Sequence, residues 1–206
     1  QPLSATKCVG ESMTFNVTAN NAGSYQWQYK GVNIAGATSD SYTRNIVCSD
    51  CDGGAYRVIV FGQGVCSSNA VNSDEAILTI NTPIAITQQP QESSVCVNFN
   101  ATFSVNATGT IQGYQWYRNG VKIDGATAST YTFSTLSFND GEKYKVEITG
   151  PCGALMSNEV NLQVKTIVAP TISTNKPSGL CVGEQFILSA TGCDGGIVHW
   201  FANNIE

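Results

Sequence analysis

Cys48-Ser49-Asp50-Cys51 is the segment of this sequence whose residue types and spacing come nearest to chemistry. Two cysteines three apart could form a redox couple, half of a zinc site, or a loop disulfide. A redox pair needs cations or a helix N-terminus to lower the thiol pKa, and Asp50 and Asp52 would raise it. Zinc needs two further ligands, and no His or second cysteine pair stands close by, so a structural loop disulfide is the favoured reading. Asp50, Asp52 and Asp140 carry hard oxygens of the kind calcium takes, but Asp-Gly and Asn-Asp-Gly are turn formers, as is Asp124-Gly125. His199, the one histidine, has no Ser, Cys or acidic partner at a catalytic spacing. Glycine-rich phosphate loops and paired catalytic carboxylates are not found. The expectation is a chain without catalytic residues, metal or cofactor.

Composition narrows the setting in which such a chain works. Charged residues are 12% of the 206, and the net charge is −5. With no basic patch, such a surface repels phosphate backbones, which argues against nucleic-acid binding. Apolar runs fall well short of the ~20 residues of a membrane span, so direct membrane insertion is not expected. Eight cysteines, several at matching places in successive segments, read as a disulfide framework. That implies an oxidising location, extracellular or at the cell surface.

The elements that position these residues repeat. Cys8-Val9-Gly10-Glu11, Tyr25-Gln26-Trp27 and Gly36-Ala37-Thr38 recur as Cys96-Val97-Asn98-Phe99, Tyr114-Gln115-Trp116 and Gly125-Ala126-Thr127. A third copy opens at Cys181-Val182-Gly183-Glu184. A fixed long period marks an array of repeated units. Apolar side chains alternate along 13–19, 56–60, 102–107, 144–148 and 161–164, the period of half-buried strands. Turn signals such as Lys30-Gly31, Asn119-Gly120 and Asn139-Asp140-Gly141 separate them, as in an antiparallel sandwich. Boundaries at Asn81-Thr82-Pro83 and near Ile167–Pro170 give repeats over 1–81, 82–166 and 167–206. The first lacks its opening strand and the third is partial, so both ends read as truncations of a longer array.

A Trp on the third strand and a Tyr opening the sixth are the signature of an all-β immunoglobulin-like sandwich. Trp27, Trp116 and Trp200 fit the first role, standing 19, 20 and 19 residues after Cys8, Cys96 and Cys181. Tyr56 and Tyr144, in Asp-x-x-x-Tyr-x-Val, fit the second. Where antibody domains place a cysteine, Val58 and Val146 stand, opposite Phe15 or Val17 and Phe103 or Val105, so apolar packing is expected to replace the inter-sheet disulfide. The second repeat holds only Cys96 and Cys152, with Cys8 and Cys66 in the corresponding places. The expected bridges within repeats are therefore Cys8–Cys66 and Cys96–Cys152, leaving Cys48–Cys51 by elimination. Cys181 and Cys193 stand at opposite ends of one strand, up to ~40 Å apart, beyond disulfide reach, and are expected to be unpaired within this segment.

The phrases at 8–11, 25–27, 119–127 and 157–160 resemble the tandem immunoglobulin-like repeats of very large Bacteroidota cell-surface proteins, the gliding-motility adhesins of the SprB type and related type IX secretion cargo. The resemblance implies export, surface attachment and adhesion: a stiff, non-enzymatic stalk whose partners are surface glycans or proteins and neighbouring repeats of the same chain. Tyr25, Tyr29, Tyr114 and Tyr117 flank the core tryptophans and are the binding candidates, since exposed tyrosines anchor recognition faces. Cross-strand pairing accounts for them equally well. Two alternatives stand beside the stalk: spacer or carbohydrate-binding modules of a secreted hydrolase, and an assembly interface completed by a partner's strand.

Overall fold

The computed structural model describes residues 1–64 and 69–166, with the backbone of Ser173–Thr174 and Leu188–Ser189. Trp200, Cys66, Cys181 and Cys193, on which several expectations rest, lie outside the described residues. The chain divides into two units. Unit 1 is Gln1–Ala85 with Ala107–Gln112 and Ile148–Leu155; unit 2 is Ile86–Asn106, Gly113–Glu147 and Met156–Glu206.

In the first repeat, short strands with alternating burial build two facing sheets. One contains β1 (Ala5–Cys8), β3 (Ala22–Tyr29), β4 (Val32–Asn33), β6 (Gly54–Gly62), β7 (Ala70–Asn72) and β8 (Ala76–Asn81), in the order β1-β8-β6-β3-β4 with β7 also on β6. The other pairs β2 (Ser12–Asn16) with β5 (Ser41–Asn45). β1 runs parallel to β8, Ala5 opposite Leu78 and Cys8 opposite Asn81; the remaining pairings in both sheets are antiparallel. Lys30 and Gly31, at φ +49° and +80°, form the two-residue turn from β3 to β4, the twist-matched turn that hairpins favour.

The second repeat rebuilds this arrangement with β10 (Ser93–Cys96), β13 (Gly113–Arg118), β14 (Val121–Lys122), β16 (Lys143–Gly150), β17 (Gly153–Met156) and β18 (Val160–Lys165) in one sheet, ordered β10-β18-β16-β13-β14 with β17 on β16. β11 (Asn100–Ser104) pairs with β15 (Thr130–Ser134), and β9 (Ala85–Gln88) with β12 (Asn106–Thr108). β10 lies parallel to β18, Cys96 opposite Lys165. Asn119-Gly120 repeats the two-residue turn at φ +49° and +79°.

The repeated words of the sequence turn out to be polar clamps around an apolar centre. Trp27 and Trp116 are wholly buried, and their indole N–H groups donate to the Ser39 and Ala128 carbonyls at 2.9 Å. Gln26 donates to the carbonyls of Trp27 and Ile34, as Gln115 does to those of Trp116 and Ile123. Each glutamine thereby closes the bend after its tryptophan strand. Ser73 Oγ accepts the Val58 N–H, and Ser157 Oγ that of Val146. Gln1 and Gln89 accept from Asp74 N–H and Asn158 N–H, both at 2.9 Å. Between the sheets Phe15 stacks on Tyr56 and Phe103 on Tyr144, each at 4.6 Å. Val58 and Val146 are fully buried, so apolar contacts fill the place of the inter-sheet disulfide.

Removing the central ring leaves a void that close-packed neighbours fill only in part. Trp27→Ala is expected to destabilise the first sandwich by about 3–5 kcal/mol, read as a lower denaturant midpoint for its unfolding transition, with Trp116→Ala doing the same to the second.

Candidate functional site

The chemistry-bearing residues of the first repeat meet at the corner between β5 and β6. A single helical turn, α1 (Ser49–Asp52), starts at Cys48, whose sulfur accepts the Cys51 N–H at 2.8 Å. Its last residue, Asp52, is fully buried. Arg44 Nε donates to Asp52 Oδ1 at 2.6 Å, and a terminal guanidinium nitrogen also contacts that oxygen. The N–H groups of Val47 and Cys48 donate to Oδ2 at 2.7 and 3.0 Å. Burial pushes the carboxyl pKa up, but the Cys48 and Val47 amides and the Arg44 guanidinium outweigh it and hold Asp52 below the ordinary carboxylate range. The Tyr56 hydroxyl donates to the Asp52 carbonyl at 2.7 Å, the tyrosine-corner bond of this sandwich class. Burial pushes that phenol up to about 12. It is a donor at neutral pH and no proton acceptor.

Cys48 and Cys51 are joined as a disulfide, with Cα atoms 5.6 Å apart. Together with Asp52 they bring three metal-type donor atoms within 4.8 Å of one another. The sulfurs are bonded to each other and both Asp52 oxygens are taken by Arg44 and backbone amides. Each donor in the triad is therefore already engaged, and the corner is a structural lock.

The second repeat solves the same corner differently. Asn139 Oδ1 accepts the Leu136 N–H at 2.7 Å, and its amide donates to Glu142 Oε2 at 2.9 Å. The Tyr144 hydroxyl donates to that same Glu142 oxygen at 2.7 Å. Burial first, then this bond, raises the Tyr144 pKa far above its ordinary value. Where Arg44 stands in β5, Phe133 stands in β15 and packs on Tyr131 and Tyr144 at 5.1 and 5.4 Å. Asp140 accepts the Val164 N–H at 2.8 Å. Asp50 takes a bond from Ser49 Oγ at 3.2 Å.

The bridges expected within each repeat are corrected. Cys8 is bonded to Cys152, Cα to Cα 5.8 Å and 144 residues apart in sequence, so neither Cys8–Cys66 nor Cys96–Cys152 forms. Cys96 is also disulfide-bonded. Register explains the outcome. Cys8 lies opposite Asn81, beside the end of β6 where Gly54 pairs with Leu78. The connection that carries Cys66 leaves β6 at its other end, after Gly62, some ~27 Å along the strand. Two cysteines need Cα atoms within ~7 Å, so Cys8 meets a hairpin of the expected kind in the following repeat instead. Sequence spacing named the right hairpin type but not which end of the sandwich it occupies.

The four tyrosine candidates are all half-buried. Tyr25 and Tyr29 pack against the first core; Tyr29 also donates to the Gly53 carbonyl at 2.8 Å and lies 4.9 Å from the Tyr56 ring. Tyr117 donates to Glu147 Oε2 at 2.8 Å, and that carboxylate raises its pKa. These contacts belong to sheet construction. The residue that sequence reasoning undervalued is Asp52, read there as a turn former. Its signal was the pairing of Asp-x-Gly-x-Tyr with a basic residue on the preceding strand.

No family model matches the chain. Among curated proteins, endoglucanase C of Cellulomonas fimi is 28% identical over 99 residues, which is 46% of this chain and 9% of that enzyme. The I-band fragment I67-I69 from titin superposes with a TM-score of 0.64 at 20% identity over 81% of this chain and 64% of that one. Immunoglobulin domains 1–4 of Sidekick-1 give 0.64 at 18% over 79% and 47%. Rst D1-D2 gives 0.64 at 16% over 80% and 96%. The chain is a tandem of immunoglobulin-like β-sandwiches. At such identities the likeness carries the fold alone, and the chain spans under two thirds of the titin and Sidekick-1 fragments.

Two tests follow from the corner and the long bridge. Because the Asp52 pKa is lowered on folding, its contribution is present above the unfolded carboxylate value near ~4 and is lost as pH falls through the folded one. Asp52→Asn is expected to cost about 3 kcal/mol at pH 7 and to flatten the acid limb of the first sandwich's stability curve; an unchanged limb would assign that limb to other carboxylates. Cys8→Ser with Cys152→Ser releases a loop of 144 residues, worth about 5 kcal/mol on the chain-entropy account, read as a lower chemical-denaturation midpoint.

Proposed function

We propose that this chain is a non-enzymatic stalk and adhesive segment of a large exported cell-surface protein, built to keep consecutive sandwiches joined in an oxidising medium. The observation that carries this reading is the Cys8–Cys152 bond, which ties the first repeat's β1 to the second repeat's hairpin and duplicates the connection the polypeptide already makes. A bond across repeats adds nothing to a catalytic pocket and adds directly to the integrity of an array. The aromatic cores and the consumed donors of the Asp52 corner fit the same role. Surface glycans or proteins are the partners, in the manner of gliding-motility adhesins delivered by type IX secretion. Among the described residues no helix is long and apolar enough to cross a membrane.

A second reading, an accessory or spacer module of a secreted polysaccharide hydrolase, is favoured by the likeness to part of endoglucanase C. Limited proteolysis tests the stalk. The oxidised 206-residue chain is expected to resist cleavage around Asn81–Ala85, whereas Cys8→Ser should be cut there at least ten-fold faster. Equal rates would remove the argument for a reinforced array. Sedimentation with insoluble cellulose tests the alternative: retention of most of the protein on the polysaccharide would favour the hydrolase module.

A further inference from the structure

The two sandwiches differ at one strand edge. In the second, β9 pairs with β12, and Asn106 Nδ2 donates to Gln88 Oε1 at 2.7 Å. Ile84 and Ile86 are half-buried, whereas Ala85 and Thr87, which alternate with them, are exposed. The segment thus turns an apolar side inward and a polar side to solvent. Ile84 Cδ1 would stand 3.2 Å from a Cβ placed on Gly150. Val105, just ahead of β12, and Ile148, just ahead of Gly150, are 2% and 0% exposed.

In the first sandwich the corresponding edge is bare. Thr18, Ala19 and Asn20 follow Phe15 at the distance at which Asn106, Ala107 and Thr108 follow Phe103. Among the described residues no strand pairs with them, and their backbone N–H and C=O groups have no hydrogen-bond partner. Val17 and Val60, the counterparts of Val105 and Ile148, are only half-buried. An open groove of about 380 Å³ lies here, lined by Gln1, Val17, Ala19, Val60, Phe61 and Val71 among others. An unpaired edge is a template for a further strand, and this one has an aliphatic wall beside it. The frame for an occupant is set as well. Gln1 accepts the Asp74 N–H as Gln89 accepts that of Asn158, and the prolines that follow them, Pro2 and Pro90, are both buried. A chain leading into Gln1 therefore enters in the frame in which β9 enters Gln89.

We propose that this groove is a strand-acceptor site, and that its occupant is an extended segment of Ile-x-Ile pattern leading directly into Gln1. Its main chain pairs with Thr18–Asn20, and its isoleucines cover Val17 and Val60. Main-chain bonds supply the affinity in such strand addition, and pockets for alternate side chains supply the selection. The inward side of the occupant must be apolar, while the outward side is free to vary. The asparagines that also line the groove, Asn20, Asn21, Asn69 and Asn72, are all exposed, so it lacks the fixed polar groups that would orient a small polar ligand. The site belongs to the first sandwich alone and requires nothing of the stalk reading.

The test places a copy of Pro83–Gln88 ahead of Gln1 in the 206-residue chain and follows amide hydrogen exchange residue by residue by NMR. Exchange is expected to slow at least ten-fold at one or more of Thr18, Ala19 and Asn20, and the denaturant midpoint of the first sandwich to rise. Ile84→Asp with Ile86→Asp, made in the added copy alone, should abolish both effects. Unchanged exchange at Thr18–Asn20 would overturn the proposal, as would equal protection by the isoleucine and aspartate segments. Protection confined to a dimer in sedimentation would overturn it too, by making the occupant a strand of a second copy. Binding of a soluble cello-oligosaccharide that shifts the Val60 and Val71 methyl resonances, with no protection by the added segment, would assign the groove to a glycan instead. The stalk reading is scored separately, by proteolysis of the 206-residue chain.

Discussion

Stacking of an aromatic pair across the two sheets, Phe15 on Tyr56 and Phe103 on Tyr144, is the contact around which each sandwich is organised. The tyrosine of each pair stands two residues before Val58 or Val146, the position where an antibody domain carries a disulfide cysteine, and each sandwich also buries a tryptophan held by one indole hydrogen bond. Apolar and aromatic burial of this kind is non-directional along the sheet normal but demanding in shape. It releases the cysteines from the core, and the cysteines are then available at the ends of the sandwiches. The position of the long bridge is therefore a consequence of how the core was filled.

The two corners show one constraint met by different chemistry. A tyrosine hydroxyl buried at the start of the sixth strand must have an acceptor. In the first repeat the acceptor is a backbone carbonyl, and the neighbouring carboxylate is neutralised by Arg44 and two amides. In the second, Glu142 accepts directly, Asn139 braces it, and Phe133 replaces the arginine. The loop disulfide at Cys48–Cys51 accompanies only the first solution. The extra cysteine pair is thus a local support for a buried ion pair rather than a feature of the repeat as such.

Fold and core were legible because they depend on period and residue type. Alternation placed the strands, Trp27, Trp116, Tyr56 and Tyr144 placed the sandwich, and Lys30-Gly31 and Asn119-Gly120 placed the tight turns. The pairing of Cys8 was not legible. It depends on which end of β6 faces β1, and that is set by the register of β8 between them. The role of Asp52 was hidden for a related reason: its partner Arg44 is eight residues upstream on the facing sheet, and no short motif contains both. Glutamines 26 and 115 looked like filler beside their tryptophans, yet each spans two carbonyls.

The Cys8–Cys152 bond also changes the path that tension takes through the polypeptide. A pull applied at the two ends of the chain passes from residue 8 to residue 152 through sulfur, and the main chain between them, residues 9–151, is slack. The first sandwich from β2 onward and most of the second are thereby withdrawn from the load, whatever their folding stability. What must resist is the short run before Cys8 and the strands after Cys152. Mechanical endurance would then depend on the redox state of the medium, which decides whether the load reaches the first core at all, and on how firmly β18 is held in the second sandwich.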